Sequence, residues 1–194
     1  ASLQKGVESA PGQIAISELL STYRIREQDK QTAIYGLIGN PVSHSIGPVI
    51  HNALFKQMDF NNIYVPFKVN NVDSFIKNFK LLGVKGYSVT IPHKESVINS
   101  LDEIAPLAGK IGAVNTIVNN NGRFIGYNTD CEAAIKALGS VFEVSGRSNH
   151  LKGKKVTLLG AGGAARAIAF GLKEYDAHIT ILNRNIERAR LLAK

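Results

Sequence analysis

The glycine-rich turn at 160–165 is the stretch whose residue spacing most directly indicates chemistry. Gly160, Gly162 and Ala165 match the pattern G-x-G-x-x-A, directly after the apolar run 155–159 and at the start of a helical segment. The first glycine permits a tight turn, the second lets the backbone approach a pyrophosphate, and the small third residue lets the helix pack on the sheet. Free N–H groups and the dipole at a helix N-terminus favour negative charge. The pattern predicts a dinucleotide site, with a tight turn that binds nothing as the alternative.

The residues after the next predicted strand indicate which dinucleotide would bind. NAD enzymes place Asp or Glu about 20 residues after the turn, where the carboxylate binds the ribose 2′-hydroxyl. This sequence has Asn183 and Arg184 there, and Arg188 one helical turn later. A guanidinium at that place suits a 2′-phosphate, and no acid is present to repel it. The pattern favours NADP over NAD, with a solvated basic helix start as the alternative.

Polar segments also follow the strand-like runs in the first half of the chain. They are residues 40–45, 88–94, 115–116 and 128–130. In open α/β sheets the ends of the strands line the crevice in which ligands bind. We therefore expect these four segments to form a second, polar part of the site.

An alternation of strand-like and helix-like segments from residue 33 onward must position these groups. The predicted strands are 34–39, 63–69, 86–90, 115–118, 124–127, 155–159 and 178–182, and the predicted helices are 48–58, 72–82, 94–101, 129–138, 163–174 and a last one from 185. Asn120-Asn121-Gly122 predicts a hairpin between two of the strands. A further helix is expected near 16–23, with Ser17 as its cap. The pattern predicts the α/β class with largely parallel strands.

Composition and charge narrow the choice of partners. The chain has 194 residues, of which 44% are hydrophobic and 20% charged, an ordinary globular mix. The formal net charge is +8, but the longest basic cluster, 152–155, holds only three lysines and has no interleaved aromatics. Anionic small molecules are therefore expected rather than nucleic acid or a membrane. A single cysteine, Cys131, excludes an internal disulfide framework.

The polar segments and the glycine turn together resemble the shikimate dehydrogenase family. The motifs occur in order from residue 33 to residue 194: IGNP at 38–41 with HS at 44–45, TIPHK at 90–94, GAVNT at 112–116, GYNTD at 126–130, GAGGA at 160–164 and NR at 183–184. The resemblance implies a substrate-binding α/β domain at 33–140 and the first half of a Rossmann NADP-binding domain at 141–194.

The same resemblance implies roles for individual residues. Lys94 and Asp130 would be the catalytic pair, and a lysine beside a carboxylate can protonate the alkoxide that hydride transfer to a ketone creates. The implied substrate-binding residues are Ser45, Gly47, Thr90 and Asn115, and the implied cofactor-binding residues are Gly160, Ala161, Gly162, Gly163, Ala164, Asn183, Arg184 and Arg188. No metal is expected. His44, His51 and His93 lack metal spacing and are expected to be structural, and Cys131 a small packed residue.

Two positions depart from the family pattern. The family has Ser-x-Ser where this sequence reads Ser45-Ile46-Gly47, which removes one hydroxyl donor to a substrate carboxylate and opens space beside ring carbon one. The lost hydrogen bond would be worth about 1.5–3 kcal/mol. Quinate carries an extra hydroxyl at that carbon, so quinate is an alternative substrate to shikimate. Asn185 replaces the usual Thr, which weakens the case for NADP slightly.

The beginning and the end of the chain carry further expectations. Residues 1–32, with SAPGQ at 9–13, resemble the tail of a type I 3-dehydroquinate dehydratase, as in the bifunctional enzymes of plants. An upstream dehydratase domain is therefore expected, and this chain alone should not dehydrate dehydroquinate. The plant-like resemblance implies a plastid location, and the cytoplasm is the alternative. Because only two strands of the nucleotide domain are present, a truncated, non-catalytic nucleotide-binding scaffold is the other alternative.

Overall fold

Two β-sheets form the frame of the molecule. The computed structural model describes residue 2 and residues 13–142 and 151–194. Its strands are β1 (Ala33–Gly39), β2 (Asn62–Lys68), β3 (Gly86–Val89), β4 (Glu103–Ile104), β5 (Thr116–Asn120), β6 (Arg123–Tyr127), β7 (Lys155–Leu159) and β8 (His178–Leu182). The first six make one sheet in the order β2-β1-β3-β5-β6-β4, and β7 and β8 pair in parallel as the second.

The larger sheet is mixed in direction, as the predicted α/β pattern and hairpin together require. β1 lies between β2 and β3 and is parallel to both, whereas β5 is antiparallel to β3 and to β6. Asn121 and Gly122, at the hairpin turn, both have positive φ, at 52° and 88°. Such a two-residue turn matches the twist of the strands that it joins, and the predicted hairpin is confirmed. The short strand β4, parallel to β6, was not predicted.

Seven α-helices connect and cover the strands in the described part of the chain. They are α1 (Ile16–Ser21), α2 (Gly47–Gln57), α3 (Val72–Phe79), α4 (Pro106–Ile111), α5 (Asp130–Phe142), α6 (Gly163–Glu174) and α7 (Ile186–Leu192). None of the helices in the described residues has the length and apolar character of a transmembrane span.

Three predictions about helices are wrong in detail. The helix predicted at 72–82 ends at Phe79 as α3 and continues as a 3₁₀ turn that Gly83 closes with φ +65°, and Leu82 is exposed. The segment predicted as a helix at 94–101 is a 3₁₀ helix at Ser96–Ser100. Ser17 lies inside α1, and Ala15 occupies the N-cap position. Short helices depend on tertiary packing, which local periodicity does not report.

The main core lies between the larger sheet and α3. It contains a cluster of aromatic rings with centroids 4.2–6.2 Å apart, formed by Phe67, Phe75, Phe79, Tyr87 and Phe124. Tyr87 is 2% exposed, and burial raises its pKa to about 12. This packing fixes the sheet whose strand ends carry the polar segments.

The smaller sheet packs on the larger unit through its helices. Gly171 of α6 faces α5 so closely that a Cβ there would lie 2.5 Å from Cγ1 of Ile135. Only a glycine permits this approach. The dehydratase-like motif at 9–12 and most of the predicted boundary at 141–154 lie outside the described residues.

Candidate active site and nucleotide turn

An ion pair between Lys94 and Asp130 is the centre of the polar site. The Lys94 Nζ donates to Asp130 Oδ2 at 2.5 Å, and the two side chains are 17% and 28% exposed. The Asn115 amide donates to the other carboxylate oxygen at 2.7 Å. Both oxygens of the carboxylate are therefore held. A half-buried ammonium beside an oriented carboxylate suits proton transfer to an oxygen that becomes negatively charged.

The backbone around Lys94 is tied on both sides of the residue. After β3 ends, Thr90 N donates to Ile38 O at 2.9 Å, and the Lys94 carbonyl accepts from Val114 N at 2.7 Å. His93 is buried, and its Nε2 lies 2.7 Å from the Val69 carbonyl oxygen. These contacts fix the direction in which the lysine leaves the sheet.

Asp130 owes its position to the first turn of α5. Asn128 is buried, donates to the Ala113 carbonyl and accepts from the N–H of Cys131 through its side-chain oxygen. Asn128 is thus the side chain that caps α5. A carboxylate at a helix N-terminus interacts favourably with the helix dipole, so this position suits Asp130.

Asn115 is placed as a bridge within the protein. Its amide nitrogen donates to Asp130 and, at 2.8 Å, to the Thr129 hydroxyl. Its carbonyl oxygen accepts from Thr129 N and from the Thr116 hydroxyl, both at 3.0 Å. The structure thus gives Asn115 a positioning role toward Asp130, and a direct contact with substrate stays a prediction.

Ser45 and Gly47 form a second group, beside Tyr64. The Gly47 N–H donates to Ser45 Oγ at 3.1 Å. A Cβ at Gly47 would lie 3.1 Å from that oxygen and 3.4 Å from Cε1 of Tyr64. The pKa of Tyr64 is raised, because burial of the side chain outweighs the opposite effect of a hydrogen bond with Ser88. Ser88 precedes Thr90 by two residues, so strand periodicity points both toward the same face.

Two residues of this group, His51 and Tyr64, were not predicted as part of the site, whereas Ser88 lies in the predicted polar segment 88–94. His51 stacks on Tyr64 with ring centroids 4.3 Å apart, and burial lowers the pKa of His51. Nothing local in the sequence pointed to Tyr64, because it comes from another strand.

The nucleotide turn has the shape that its sequence predicts. Gly160 has φ +117°, a conformation that favours glycine, and Gly162 is the N-cap of α6. A Cβ at Gly160 or at Gly162 would meet no atom within 4 Å, so space lies open in front of the turn. Ala161 is buried and Ala164 exposed. Open space beside the free N–H groups at the start of the 12-residue helix α6 fits a pyrophosphate.

Gly163 brings the nucleotide turn against the Lys94–Asp130 pair. A Cβ at Gly163 would lie 2.6 Å from Cβ and 3.2 Å from Cδ of Lys94, and 3.5 Å from Cβ of Ala113. The contact joins the two predicted parts of the site, which are 69 residues apart in sequence, counted from Lys94 to Gly163.

The residues predicted to choose the cofactor follow β8. Asn183 donates to the carbonyl of Asn185 at 2.7 Å, and Arg184 is exposed. Asn185 lies at the N-cap of α7, where its side chain accepts from Arg188 N at 3.2 Å. Because Thr and Asn are both good caps, the replacement of the family's Thr preserves this cap.

One sequence prediction about this region is wrong. No acid was expected near the arginines, but the fold places Glu95 there: its Oε1 lies 3.0 Å from Arg188 Nη2 and its Oε2 lies 3.0 Å from Arg166 Nε. The sequence stretch around 184 could not show this, since Glu95 comes from the other half of the chain.

The remaining candidate groups have ordinary structural surroundings. Among the described residues, no group of three or more His, Cys, Asp or Glu side chains could hold a metal ion. Cys131 is buried, and its pKa is raised by burial and by the carboxylates of Glu174 and Glu132. A thiol in such surroundings packs as a small hydrophobic group.

Two family models match separate parts of the chain. The model described as "Shikimate dehydrogenase substrate binding domain" matches residues 37–117. The model described as "Shikimate / quinate 5-dehydrogenase" matches residues 143–194. Lys94 and Asn115 thus lie in the first match and the nucleotide turn in the second, while Asp130 lies between the two matches.

Similar proteins include both bifunctional and single enzymes. An Arabidopsis thaliana protein described as "Bifunctional 3-dehydroquinate dehydratase/shikimate dehydrogenase, chloroplastic" is 45% identical over 195 residues, which cover 96% of this chain and 32% of that protein. A Caldanaerobacter subterraneus protein described as "Shikimate dehydrogenase (NADP(+))" is 46% identical over 169 residues, 86% of this chain and 58% of that protein.

A solved structure shares the fold. A crystal structure of a shikimate dehydrogenase in complex with NADP⁺ superposes with a TM-score of 0.75 at 46% identity, covering 86% of this chain and 56% of that one. The chain therefore spans about a third of the plant relative, from its 32% coverage, and somewhat more than half of the other two.

Proposed function

The chain belongs to the shikimate dehydrogenase family, and we propose from this that its protein reversibly reduces 3-dehydroshikimate to shikimate with NADPH. The observation that carries the proposal is the Lys94–Asp130 pair, 2.5 Å apart, packed against Gly163 of the nucleotide turn. A proton donor and a dinucleotide turn in direct contact are what a hydride transfer to a ketone requires.

Lys94 would supply the proton in this reaction. NADPH, when bound, supplies the hydride. Lys94 Nζ then donates a proton to the oxygen that becomes an alkoxide, and its positive charge stabilises that oxygen beforehand. Asp130 keeps the ammonium oriented and accepts a hydrogen bond from a ring hydroxyl, while Asn115 holds the carboxylate in place. In the oxidative direction the same lysine, once neutral, accepts the proton.

The substrate would be held by hydroxyl and amide groups. Ser45, Thr90 and Asn115 are the proposed ligands of the carboxylate and the ring hydroxyls. The formal net charge of +8 favours the approach of an anionic substrate.

The cofactor would lie across the glycine turn, with its 2′-phosphate near α7. The open space at Gly160 and Gly162 supports a pyrophosphate there, and the backbone N–H groups that follow Gly162 would bind it. Asn183, Arg184 and Arg188 are the proposed ligands of the 2′-phosphate. The NADP⁺ that the related crystal structure contains supports the same choice.

The organisation of the protein is proposed on the same basis. Residues 33–140 would form the substrate-binding domain and 141–194 the first half of the NADP-binding domain. Residues 1–32 would be the tail of a fused dehydratase domain, and the protein would act in the plastid. The name of the plant relative, which is bifunctional and chloroplastic, supports both statements.

Quinate is a second candidate substrate because of Gly47. A Cβ at Gly47 would lie 3.1 Å from Ser45 Oγ and 3.4 Å from Cε1 of Tyr64, so the serine of the family pattern would fit only with a shift of Ser45. Quinate carries one hydroxyl more than shikimate, and the position of Gly47 without a side chain is the proposed place for it.

Turnover by the full-length protein tests these choices, with shikimate and quinate each paired with NADP⁺ and NAD⁺. We expect shikimate with NADP⁺ to dominate and Lys94→Ala to remove most of kcat. Dominance of quinate would replace the proposed substrate, and Gly47→Ser should then shift the quinate-to-shikimate ratio of kcat/KM toward shikimate. Absence of turnover with all four pairs would contradict the proposed dehydrogenase activity and favour a nucleotide-binding scaffold without catalytic activity.

A further inference from the structure

Glu95 links the segment that carries Lys94 to the helices α6 and α7 through ion pairs with two arginines. It follows Lys94 directly, and one carboxylate oxygen pairs with Arg166 of α6 while the other pairs with Arg188 of α7, both at 3.0 Å. The side chains of Glu95, Arg166 and Arg188 are 33%, 30% and 54% exposed. The two arginines are 71 and 93 residues away in sequence.

The remaining ion pairs of the described residues do not make this connection. They lie within one helix or turn, or join residues of the larger sheet and the segments beside it, as Lys80 does with Asp102. Glu95 is thus the carboxylate that ties the segment carrying the proton donor to the elements that follow β7 and β8.

The arginine that Glu95 holds is one of those proposed to bind a 2′-phosphate. A guanidinium has five N–H donors, and the structure assigns one from Arg188 Nη2 to Glu95. A phosphate group prefers a bidentate approach to arginine and carries negative charge. Its charge and that of Glu95 repel each other across the shared guanidinium, so the two anions compete for Arg188.

We propose that Glu95 is a positioning residue that lowers the preference for NADP over NAD, because it competes with the 2′-phosphate for Arg188. Its carboxylate holds Arg188 in the free protein and is displaced from it by a 2′-phosphate, while Arg166 keeps the Lys94 loop against the nucleotide turn. The proposal rests on the proposed function, since it takes Arg188 as a ligand of the cofactor.

The test uses two fragments that lack nicotinamide, adenosine 2′,5′-bisphosphate and AMP. Their affinities are measured by isothermal titration calorimetry on the full-length protein and its Glu95→Gln variant, which keeps the shape and removes the charge. We expect Glu95→Gln to bind the bisphosphate about two- to fivefold more tightly, the weight of one exposed ion pair. The affinity for AMP should stay unchanged, because AMP has no group that reaches Arg188.

Arg188→Gln supplies the matched control through a double-mutant cycle. In that background Glu95→Gln should no longer change the affinity for the bisphosphate, because the shared guanidinium is gone. Thermal unfolding of every variant checks the fold, and Glu95→Ala should repeat the gain in affinity if Glu95→Gln unfolds.

The possible failures are distinguishable. A wild-type protein that binds the bisphosphate no more tightly than AMP would overturn the proposed NADP specificity, and this inference with it. If the wild-type protein prefers the bisphosphate but Glu95→Gln leaves the affinity for the bisphosphate unchanged or lowers it, the role of Glu95 alone is overturned. An equal gain in the affinity for AMP would overturn that role as well.

Discussion

Replacing Gly163 by alanine should displace Lys94, the proposed proton donor. An added Cβ would lie 2.6 Å from Cβ of Lys94, whereas ordinary van der Waals contacts are 3.4–4 Å, so one of the two segments must move by about 1 Å. A misplacement of about 1 Å near a reacting group lowers the rate by about 10²-fold. We therefore expect kcat to fall by about 10²-fold, with a loss of about 1–3 kcal/mol in the free energy of unfolding from overpacking.

Gly162→Ala is the matched control for this experiment. The neighbouring glycine has φ −100°, which alanine adopts freely, and its Cβ would meet no protein atom within 4 Å. The free energy of unfolding and kcat should therefore stay close to the wild-type values. The methyl group would instead occupy the space proposed for the pyrophosphate, so the KM for NADP⁺ should rise.

The assay is steady-state oxidation of shikimate by the full-length protein, followed by NADPH absorbance, together with urea unfolding of each variant. The contact between Gly163 and Lys94 predicts a loss in kcat for Gly163→Ala. The space proposed for the pyrophosphate predicts a rise in the KM for NADP⁺ for Gly162→Ala. A Gly163→Ala protein with wild-type kcat and stability would refute the contact between the turn and Lys94. A fall in kcat for both variants would refute the assignment of separate roles.

Three further results are expected. Asn115→Ala should lower kcat by about tenfold or more because Asp130 loses a hydrogen bond to a charged group, while Asn115→Asp, which cannot donate, should not restore it; initial rates measure both. Burial lowers the pKa of His51, so the unfolded chain binds more protons than the folded one, and stability should fall as the pH drops below about 6.5. Urea unfolding at pH 7.5 and 5.5 should show a smaller loss for His51→Phe, which preserves the ring stack on Tyr64, and an equal loss would contradict this sign. Burial raises the pKa of Cys131, so its reaction with a thiol reagent at neutral pH should be much slower in the folded protein than in urea, and equal rates would contradict the packed role.

The positions that the sequence predicted well depend on local conformation. The Asn121-Gly122 hairpin and the Gly160 turn need positive φ, which these residue types adopt more readily than others. The predicted strands are all present, with bounds that differ by at most two residues, because alternating and continuous apolar runs are local signals. The predictions that failed, such as the continuation of the helix from Phe79 to residue 82, needed knowledge of where a helix stops packing.

The sequence by itself determined the α/β alternation, the glycine turn and, through the family motifs, the identity of Lys94 and Asp130 as candidates. Only the tertiary structure decided what these residues touch. Strand register and the packing of the two sheets bring Lys94 to Asp130 across 36 residues and Glu95 to Arg188 across 93. Contacts between distant residues depend on how the chain closes on itself, and no local pattern of residue types encodes them. Lys94, the proposed proton donor, could thus be identified from the sequence, whereas the contact of Glu95 with Arg188 could not.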